Sequence, residues 1–452
     1  MSIRLWLAFP RDRRRGRQQG VVLILAVFGV VLLGVLAVAI SAAVRVELLA
    51  SRAGLDRAQS LFLAEAGLQQ ARAILLYEDL TVDSLQDVWG PGAESPLDLP
   101  QELGDGYYRV RVYDASGRIS INQADAGTDP PEYQTLLGIL ARLTGDAAVA
   151  AAVVDWRDEG RTSSLGGDEN EYYASLPQPY VPRDGPFQTL GELLLVRGVT
   201  PEMFFGAAGG PGLEDLLTVE AWSPNTDANG ERRVDLNGFR NWGMDLEWER
   251  SLRSKLEQSF GMYADKIFKQ LLDGFSAAGG EYTGLGQLAT AAGLSPEVIV
   301  AVIDWLTVEP GEEVSGKVNV NTAQGEALAA LPGSSPELAE EIVARREAAP
   351  LRSLGEVAEL LLAQPAGQTV FAQMVDHLTT KSSSFIIEAM GWTERGRGFR
   401  TLRALVRRLP DSVVVVQQVE EDRPLPALEQ GEVVASSAAG GYRGNPIVVA
   451  RR

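Results

Sequence analysis

The sequence of 452 residues contains no cysteine and a single histidine, His377. The lack of cysteine excludes disulfides and thiolate metal sites, and one histidine cannot form the imidazole cluster of a catalytic zinc centre. We expect His377, near a predicted helix end, to be a surface or capping residue. Positive charge is also scarce, since the formal net charge is -19, whereas proteins bind phosphate backbones through excess Lys and Arg. The composition therefore argues against an envelope metallohydrolase and a nucleic-acid partner, and we predict that the chain is not an enzyme.

Charged side chains are missing from residues 21–44, an apolar run near the N-terminus. At about 1.5 Å per residue, a helix of this length spans a hydrocarbon core of about 30 Å. Six arginines and one acidic residue precede the run: Arg4, Arg11, Arg13, Arg14, Arg15, Arg17 and Asp12. Short arginine-rich flanks stay in the cytoplasm. We therefore predict a single-pass protein of the inner membrane, in a Gram-negative cell, with a cytoplasmic N-terminus and a periplasmic body.

Three interpretations of this N-terminal region compete. A cleaved secretory signal would have a shorter apolar core and a small-residue exit site, whereas an ordinary signal anchor would keep the whole segment. The third is a leader of residues 1–20 that is cut between Gly20 and Val21, because glycine at the basic-to-apolar junction offers a peptidase an extended backbone. Helical spacing of apolar residues continues through 45–77, and no proline interrupts 21–76. We predict one continuous helix with an amphipathic stalk.

The remaining sequence divides into a head and a large insertion, in an α+β fold. Residues 107–113 alternate like a strand. Three further strand patterns with short turns follow late in the chain, at 384–392, 400–408 and 413–419. We therefore assign residues 78–116 and 382–420 to a head with an antiparallel sheet, and 117–381 to an all-α insertion between its strands. The tail, 421–452, is rich in Pro, Gly, Ser and Ala, a composition typical of disorder.

The insertion contains internal repeats. A basic residue, a short strand pattern and Asn occur three times, as Arg118-Ile-Ser-Ile-Asn122, Arg233-Val-Asp-Leu-Asn237 and Lys317-Val-Asn-Val-Asn321. A second element recurs as Phe187-Gln-Thr-Leu-Gly-Glu-Leu193, Tyr282-Thr-Gly-Leu-Gly-Gln-Leu288 and Leu351-Arg-Ser-Leu-Gly-Glu-Val357. Thr200 and Ser295 each precede Pro-Glu, which marks a helix start. The repeats predict three helical units built on one plan.

The third unit is similar to helix-hairpin-helix modules, which raises an alternative function. In DNA-binding versions the hairpin is Gly-x-Gly, so that backbone N–H groups approach phosphate. The alternative is a membrane-anchored DNA receptor of a competence-like system. Here Ser334 and Ser335 follow Gly333, so the second glycine is missing, and Glu337 and Glu340 lie beside it. We therefore expect a structural or protein-binding role.

Carboxylates crowd one loop of the first unit. The acidic residues, in a loop bounded by glycines, are Asp155, Asp158, Glu159, Asp168, Glu169 and Glu171. Carboxylates this close repel one another unless a hard cation lies among them, and calcium takes six to eight oxygen ligands in flexible geometry. The alternative is a solvated acidic loop without metal. The residue pattern alone leaves both interpretations open.

Several of these features resemble one family. Gln18-Gln19-Gly20 followed by Val21-Val-Leu-Ile-Leu25 resembles a type IV prepilin leader junction, except that Leu25 stands where most prepilins carry Glu. Asp155-Trp-Arg-Asp158 with Gly166-Gly-Asp-Glu-Asn-Glu-Tyr-Tyr173, and Asn319-Val-Asn-Thr322, extend the similarity. Together they resemble the K-type minor pseudopilins of type II secretion, the GspK family, which also lack that glutamate.

This resemblance implies a pilin-like fold, with a long N-terminal helix on an antiparallel sheet and an insertion of helix-hairpin-helix-like repeats. It implies a minor pseudopilin at the tip of a periplasmic pseudopilus, cut after Gly20 and methylated there. The implied partners are other minor pseudopilins, the prepilin peptidase and the inner-membrane secretion platform. It also implies a structural calcium ion held by Asp155, Asp158 and Glu169. Candidate additional ligands are Glu159, Asp168 and Glu171.

Overall fold

The molecule combines one long helix, one antiparallel sheet and a series of small helical units. The structure, a computed structural model, describes residues 15–91, 97–122, 131–157, 169–207, 210–394, 398–421 and 424–425. Its α-helices are α1 (Arg15–Tyr77), α2 (Pro131–Thr144), α3 (Ala147–Asp155), α4 (Glu169–Ala174), α5 (Pro201–Phe205), α6 (Leu213–Leu216), α7 (Leu246–Phe260), α8 (Ala264–Ala277), α9 (Gln287–Thr290), α10 (Pro296–Val302), α11 (Gly325–Ala330), α12 (Pro336–Ala348), α13 (Leu354–Leu362) and α14 (Gly367–Met374). Short 3₁₀ helices cover Ala115–Gly117, Leu190–Leu195, Leu236–Asn241, Gly261–Tyr263, Ile303–Trp305 and Val375–His377.

The strands fall into one large sheet and several two-stranded pairs. In chain order they are β1 (Gln101–Leu103), β2 (Gly106–Asp114), β3 (Ile119–Ser120), β4 (Leu217–Thr218), β5 (Trp222–Pro224), β6 (Val234–Asp235), β7 (Leu306–Thr307), β8 (Glu313–Ser315), β9 (Val318–Asn319), β10 (Leu378–Thr379), β11 (Ser384–Thr393), β12 (Phe399–Leu409) and β13 (Ser412–Glu421). The large sheet has the order β1-β2-β11-β12-β13 and is antiparallel throughout. The four predicted strands are confirmed, while β1, which pairs with β2, was not predicted. The predicted α+β class is confirmed as well.

Helix α1 is continuous from the apolar run into the head, as predicted. It has 63 residues, about 95 Å at the usual helical rise. Its C-terminal part packs on the sheet, where Leu68, Ala71 and Leu75 form a core with strand side chains such as Val110 and Phe385. At Gly391 the approach is so close that a side chain there would collide with the carbonyl oxygen of Ser60. Glycine is therefore required where α1 crosses β11.

The centre of the sheet is covered on both faces. All ten residues of β11 are buried, since α1 covers one face and the insertion lies against the other. Ion pairs join insertion and sheet, with Arg403 Nη1 2.6 Å from Glu214 Oε1 and Arg407 paired with Glu313. The guanidinium of Arg407 also lies 4.3 Å from the ring centre of Trp222. The insertion is thus packed against the head along the sheet.

Each repeat of the insertion is closed by a short parallel pairing between its first and last segments. The first strand of each unit pairs with a Leu-Thr dipeptide at its end, in the pairs β3–β4, β6–β7 and β9–β10. We name the units by these boundaries: unit 1 is 118–218, unit 2 is 233–307 and unit 3 is 317–379. A sequence motif closes each unit, Asp-x-Leu-Thr, at 215–218, 304–307 and 376–379. This motif and the strands that it forms were not predicted.

The repeated Asn is the link between the two repeated elements of each unit. The Asn321 side chain donates from Nδ2 to the Leu351 carbonyl and accepts the Leu351 N–H at Oδ1, both at 2.8 Å. Asn237 makes the same pair of bonds with Tyr282, and Asn122 with Phe187. Phe187, Tyr282 and Leu351 are the first residues of the second predicted element. The two sequence repeats are therefore one structural unit, held by an amide clamp.

Units 2 and 3 cover each other reciprocally. The Asp376 carboxylate of unit 3 accepts the N–H groups of Leu285 and Gly286 in unit 2, at 2.7 and 3.1 Å. In return, Asp304 of unit 2 accepts the Leu354 N–H of unit 3 at 2.9 Å. In unit 1 the equivalent Asp215 instead accepts a hydrogen bond from Gly212 of its own unit.

Candidate functional site: membrane helix, acidic loop and head junction

The first half of α1 is apolar and unpacked. Side chains from Val21 to Gln59 are almost all exposed, for example Ile24 at 70% and Val38 at 71%. The segment is long and apolar enough to cross a membrane. An exposed apolar surface of this size is stable only against lipid or other apolar helices.

The leader junction is helical in the structure. Helical structure runs unbroken from Arg15 through the junction, so Gly20 lies inside α1. The prediction of an extended backbone at Gly20 is therefore wrong for this conformation. Residues 1–14 lie outside the described residues. Cleavage between Gly20 and Val21 stays a prediction and requires local unwinding, which glycine favours through its low helix propensity.

The structure describes part of the acidic loop. Asp155 is the last residue of α3, as expected, and is 2% exposed. Glu171 lies in α4 with an exposed side chain. Glu169 begins α4, but its side chain is outside the described part of the structure. Three further candidates lie outside the described residues: Asp158, Glu159 and Asp168.

An aromatic cluster joins the two ends of this loop. Trp156 follows Asp155, and its ring meets Tyr173 edge-on with centroids 5.4 Å apart. Tyr180 and Phe187 pack on the same indole, at 6.2 and 6.4 Å. Because Tyr173 is two residues after Glu171, the contact holds both acidic flanks of the loop near one another.

The donor chemistry of this region fits a hard cation. Asp155 and Glu171, the candidates whose side chains are described, offer carboxylate oxygens, which suit calcium better than zinc or copper. Within the described ranges, no group of three or more His, Cys, Asp or Glu side chains converges on a metal position. Trp156 Nε1 is buried without a hydrogen-bond partner, so an unused donor lies at the edge of the loop.

A buried polar cluster fixes the place where the insertion leaves and rejoins the head. Asp114, at the end of β2, accepts hydrogen bonds at Oδ2 from Asn319 Nδ2, Thr322 Oγ1 and Ser382 Oγ, at 2.9, 2.6 and 2.6 Å. Its Oδ1 accepts the Ser116 N–H at 2.7 Å. One carboxylate thus joins the exit strand, unit 3 and the returning chain. Asn319 and Thr322 belong to a motif noted in the sequence, whereas Asp114 was not predicted.

A second buried carboxylate, Asp83, completes this cluster. Arg408 Nη2 lies 2.7 Å from both oxygens of Asp83, and Ser382 N donates to the same carboxylate at 2.8 Å. Burial raises the pKa of Asp83 to about 7, against the opposing charge of Arg408 and with the help of nearby Asp114. Burial also raises the pKa of Asp114. Two buried carboxylates beside one guanidinium favour retention of a proton.

The prediction that His377 is a surface or capping residue is wrong as to its exposure. His377 is the last residue of the 3₁₀ helix Val375–His377 that follows α14, so it lies near a helix end as expected, but it is half-buried. Burial and then the charge of Lys317 lower its pKa to about 4. The imidazole is therefore neutral at pH 7.

The hairpin of unit 3 is covered by its own unit. Gly333 has φ +73°, and a side chain there would meet Gln373 Cβ at 2.9 Å and the Val370 carbonyl at 3.3 Å. Ser335 then caps α12 by accepting the Leu338 N–H at 3.2 Å. The hairpin backbone thus packs against α14.

Two segments of the chain match family models. Residues 117–205 match a model for the first domain of "Type II secretion system (T2SS), protein K", and residues 318–381 match a second model with that description. These two segments, 153 of the 452 residues, are similar to the type II secretion system protein K family. The two matches coincide with unit 1, which carries the acidic loop, and with unit 3, which carries the Asn-x-Asn-Thr element.

Other comparisons add little to this assignment. A comparison with curated proteins finds no significant match. Among solved structures, a chain of the GspK-GspI-GspJ complex from the type 2 secretion system of enterotoxigenic Escherichia coli is similar, with a TM-score of 0.47 and 16% sequence identity. The match covers 82% of this chain and 99% of that chain.

Proposed function

We propose that this chain is a member of the protein K family and acts as a minor pseudopilin at the tip of the type II secretion pseudopilus. The observation that carries the proposal is the position of the insertion relative to α1. Asp83 lies six residues after α1 ends and contacts the returning chain at Ser382. The insertion therefore joins the sheet at the end remote from the apolar segment. A subunit inside a filament needs room for a neighbour above it, and a tip subunit does not.

The apolar half of α1 supports membrane anchoring. We propose that residues 21–44 cross the inner membrane with the arginine-rich N-terminus in the cytoplasm and the head in the periplasm. Leu25, in place of the usual Glu, agrees with a tip position, since in pilins that residue is thought to pair with a neighbour's terminal amine. The proposed partners are other minor pseudopilins and the inner-membrane secretion platform.

Export and co-purification test the tip assignment. A strain lacking this chain should lose type II export, and the wild-type chain should restore it and co-purify with other minor pseudopilins after detergent extraction. Removing residues 118–381 should abolish both effects. Normal export by a strain that lacks the chain would contradict the proposal.

Leader removal is a separate proposal. We propose that a prepilin peptidase cuts before Val21 and that the new N-terminus is methylated. The intact mass of membrane-extracted protein should lack residues 1–20, and Gly20→Val should retain them. Gly29→Val is the matched control, since it changes a glycine of the same apolar helix and should leave processing unchanged. A wild-type mass that still includes the leader would overturn this proposal.

Calcium binding by the acidic loop is the third part. We propose that Asp155, Asp158 and Glu169, with candidate additions Glu159, Asp168 and Glu171, hold one structural ion between α3 and α4. Ligand that binds only the folded state adds about 2.7 kcal/mol at a hundredfold excess over its dissociation constant. Calcium should raise the unfolding midpoint relative to EGTA, and magnesium should substitute poorly because it demands a tighter octahedral site.

A double variant tests the ligand set. Asp158→Asn with Glu169→Gln should abolish the calcium response. Asp273→Asn is the control, because it changes an exposed acid of helix α8 in unit 2, outside the acidic loop. An unchanged wild-type midpoint with calcium, or an intact response in the double variant, would refute the site.

The DNA-receptor alternative has its own test. The covered hairpin at Gly333 and the net charge of -19 both argue against DNA binding. A gel shift at low salt, where phosphate contacts are strongest, should show none. Salt-sensitive micromolar binding would favour the receptor instead.

A further inference from the structure

An open cleft lies between unit 1 and the sheet. Its volume is about 650 Å³, and its unit 1 wall includes Leu190, Gly191 and Phe205. The sheet wall includes Leu405 and Val419, on the face opposite α1. Phe205 is 57% exposed and Val419 is 46% exposed. Large apolar side chains therefore face solvent on both walls.

The same face is covered in the other two repeats. Gly286 of unit 2 is so close to Ala372 of α14 that a side chain there would collide with it. Gly355 of unit 3 similarly lies against the Val300 carbonyl of α10, 2.8 Å from a built Cβ. At Gly191, the equivalent of both, the nearest atom to a built Cβ is Thr189 Oγ1 at 3.8 Å. Unit 1 thus presents a face that its sister units bury.

The chain itself leads to this cleft. Cross-strand register places three rows on this sheet face: Ile386–Leu405–Gln417, Glu388–Arg403–Val419 and Met390–Thr401–Glu421. The cleft contains members of all three rows, ending at Glu421. Four residues after the end of β13, Leu425 is buried against Met390 and Trp392. Leu425 therefore lies beside the last row of the cleft.

We propose that residues 426–434 occupy this cleft as an internal strap, with Leu428, Val433 and Val434 against its apolar walls. The nine residues, Pro-Ala-Leu-Glu-Gln-Gly-Glu-Val-Val, reach about 30 Å when extended, at about 3.3 Å each. The three rows of the sheet span about 13 Å by the same measure. The segment starts at the cleft, has the length to cross it and carries side chains that match its lining.

The lack of cysteine makes a direct test clean. Phe205→Cys in the otherwise cysteine-free full chain should react with a bulky maleimide about tenfold more slowly than in a chain that ends at Leu425, an occlusion of about 1.4 kcal/mol. Val181→Cys is the control, since Val181 is 76% exposed in the same unit and outside the cleft. Its rate should not depend on the tail. Equal rates for Phe205→Cys in both chains would overturn the proposal.

Two further variants identify the occupant. Leu428→Asp with Val433→Asp should expose Phe205→Cys as the truncation does, while Ile447→Asp with Val448→Asp should leave it protected. Protection that depends on protein concentration would assign the cleft to a second copy and refute the strap. Loss of protection in the second double variant alone would refute it too, because a different part of the tail would be responsible.

Discussion

Replacing Asn321 by Ala tests the amide clamp that defines each repeat. The side chain satisfies both the N–H and the carbonyl of Leu351, at 2.8 Å each, and both residues are buried. The variant leaves two backbone groups without partners, and each unsatisfied buried group costs about 1–3 kcal/mol. We therefore expect the free energy of unfolding to fall by about 2–6 kcal/mol.

The three copies of the clamp should differ in how much stability they contribute. Asn122 and Asn237 form the same bonds as Asn321 but are half-buried. Water can therefore replace part of what their side chains supply. Asn122→Ala and Asn237→Ala should each cost less than Asn321→Ala.

Urea unfolding of the full chain in detergent, followed by tryptophan fluorescence, measures these differences. Asn321→Asp is a matched control, because it keeps an acceptor for the Leu351 N–H but loses the donor to its carbonyl. Because this carboxylate is buried and faces the carbonyl oxygen of Leu351, its cost should be at least that of Asn321→Ala. A loss below about 0.5 kcal/mol for Asn321→Ala, the scale of ordinary surface changes, would refute the clamp.

Further predictions concern pH and the repeat glycines. For Asp83, the folded pKa of about 7 exceeds the ordinary 3.8, so its contribution to stability is lost as pH rises through 7. Acidification from pH 8 to 6 should therefore add about 1.4 kcal/mol to the free energy of unfolding. Urea titrations at the two pH values should show this increase in the wild type and a smaller one in Asp83→Asn. For His377 the folded pKa of about 4 lies below 6.5, so stability is present above pH 6.5 and falls by up to about 3 kcal/mol towards pH 4. His377→Gln should remove that fall, and an unchanged acid limb would contradict the assignment. Gly286→Ala should lower the thermal unfolding midpoint, because its Cβ would collide with Ala372. Gly191→Ala should leave the midpoint nearly unchanged, because the space around Gly191 is open. Equal changes of the midpoint in the two variants would refute the difference between the units.

The sequence predicted the large elements well, because each carries its own periodicity. Apolar spacing without proline predicts α1, and alternating side chains predict β2, β11, β12 and β13. The short strand pattern between Arg118 and Asn122 indicates β3, but its two-residue partner β4 could not be predicted in this way. They exist because Asn122 and Arg118 bind the later part of the unit, through Phe187 and the Glu214 carbonyl. A search for the threefold Asp-x-Leu-Thr motif would have found the closing strands.

The candidate site was predictable to different degrees. The acidic loop is visible in the sequence because its carboxylates are close along the chain. The junction cluster is not visible, because Asp83, Asp114 and Arg408 are far apart in sequence and meet only when the insertion closes. His377 was misjudged for a related reason. Its burial depends on tertiary packing around α14 and not on its local position near a helix end.

The reciprocal contacts of units 2 and 3 explain why a cleft exists at unit 1. Asp304 and Asp376 each cap the other unit, and Gly286 and Gly355 each accept the partner's helix at close range. Such an exchange covers this face of both units and leaves the equivalent face of unit 1 open, although unit 1 contacts unit 3 elsewhere through Arg142. Unit 1 differs accordingly, since Asp215 turns inward to Gly212 and Gly191 faces open space. An odd number of units therefore requires cover from outside the repeat, and the segment after Leu425 is the part of this chain that begins beside the uncovered face.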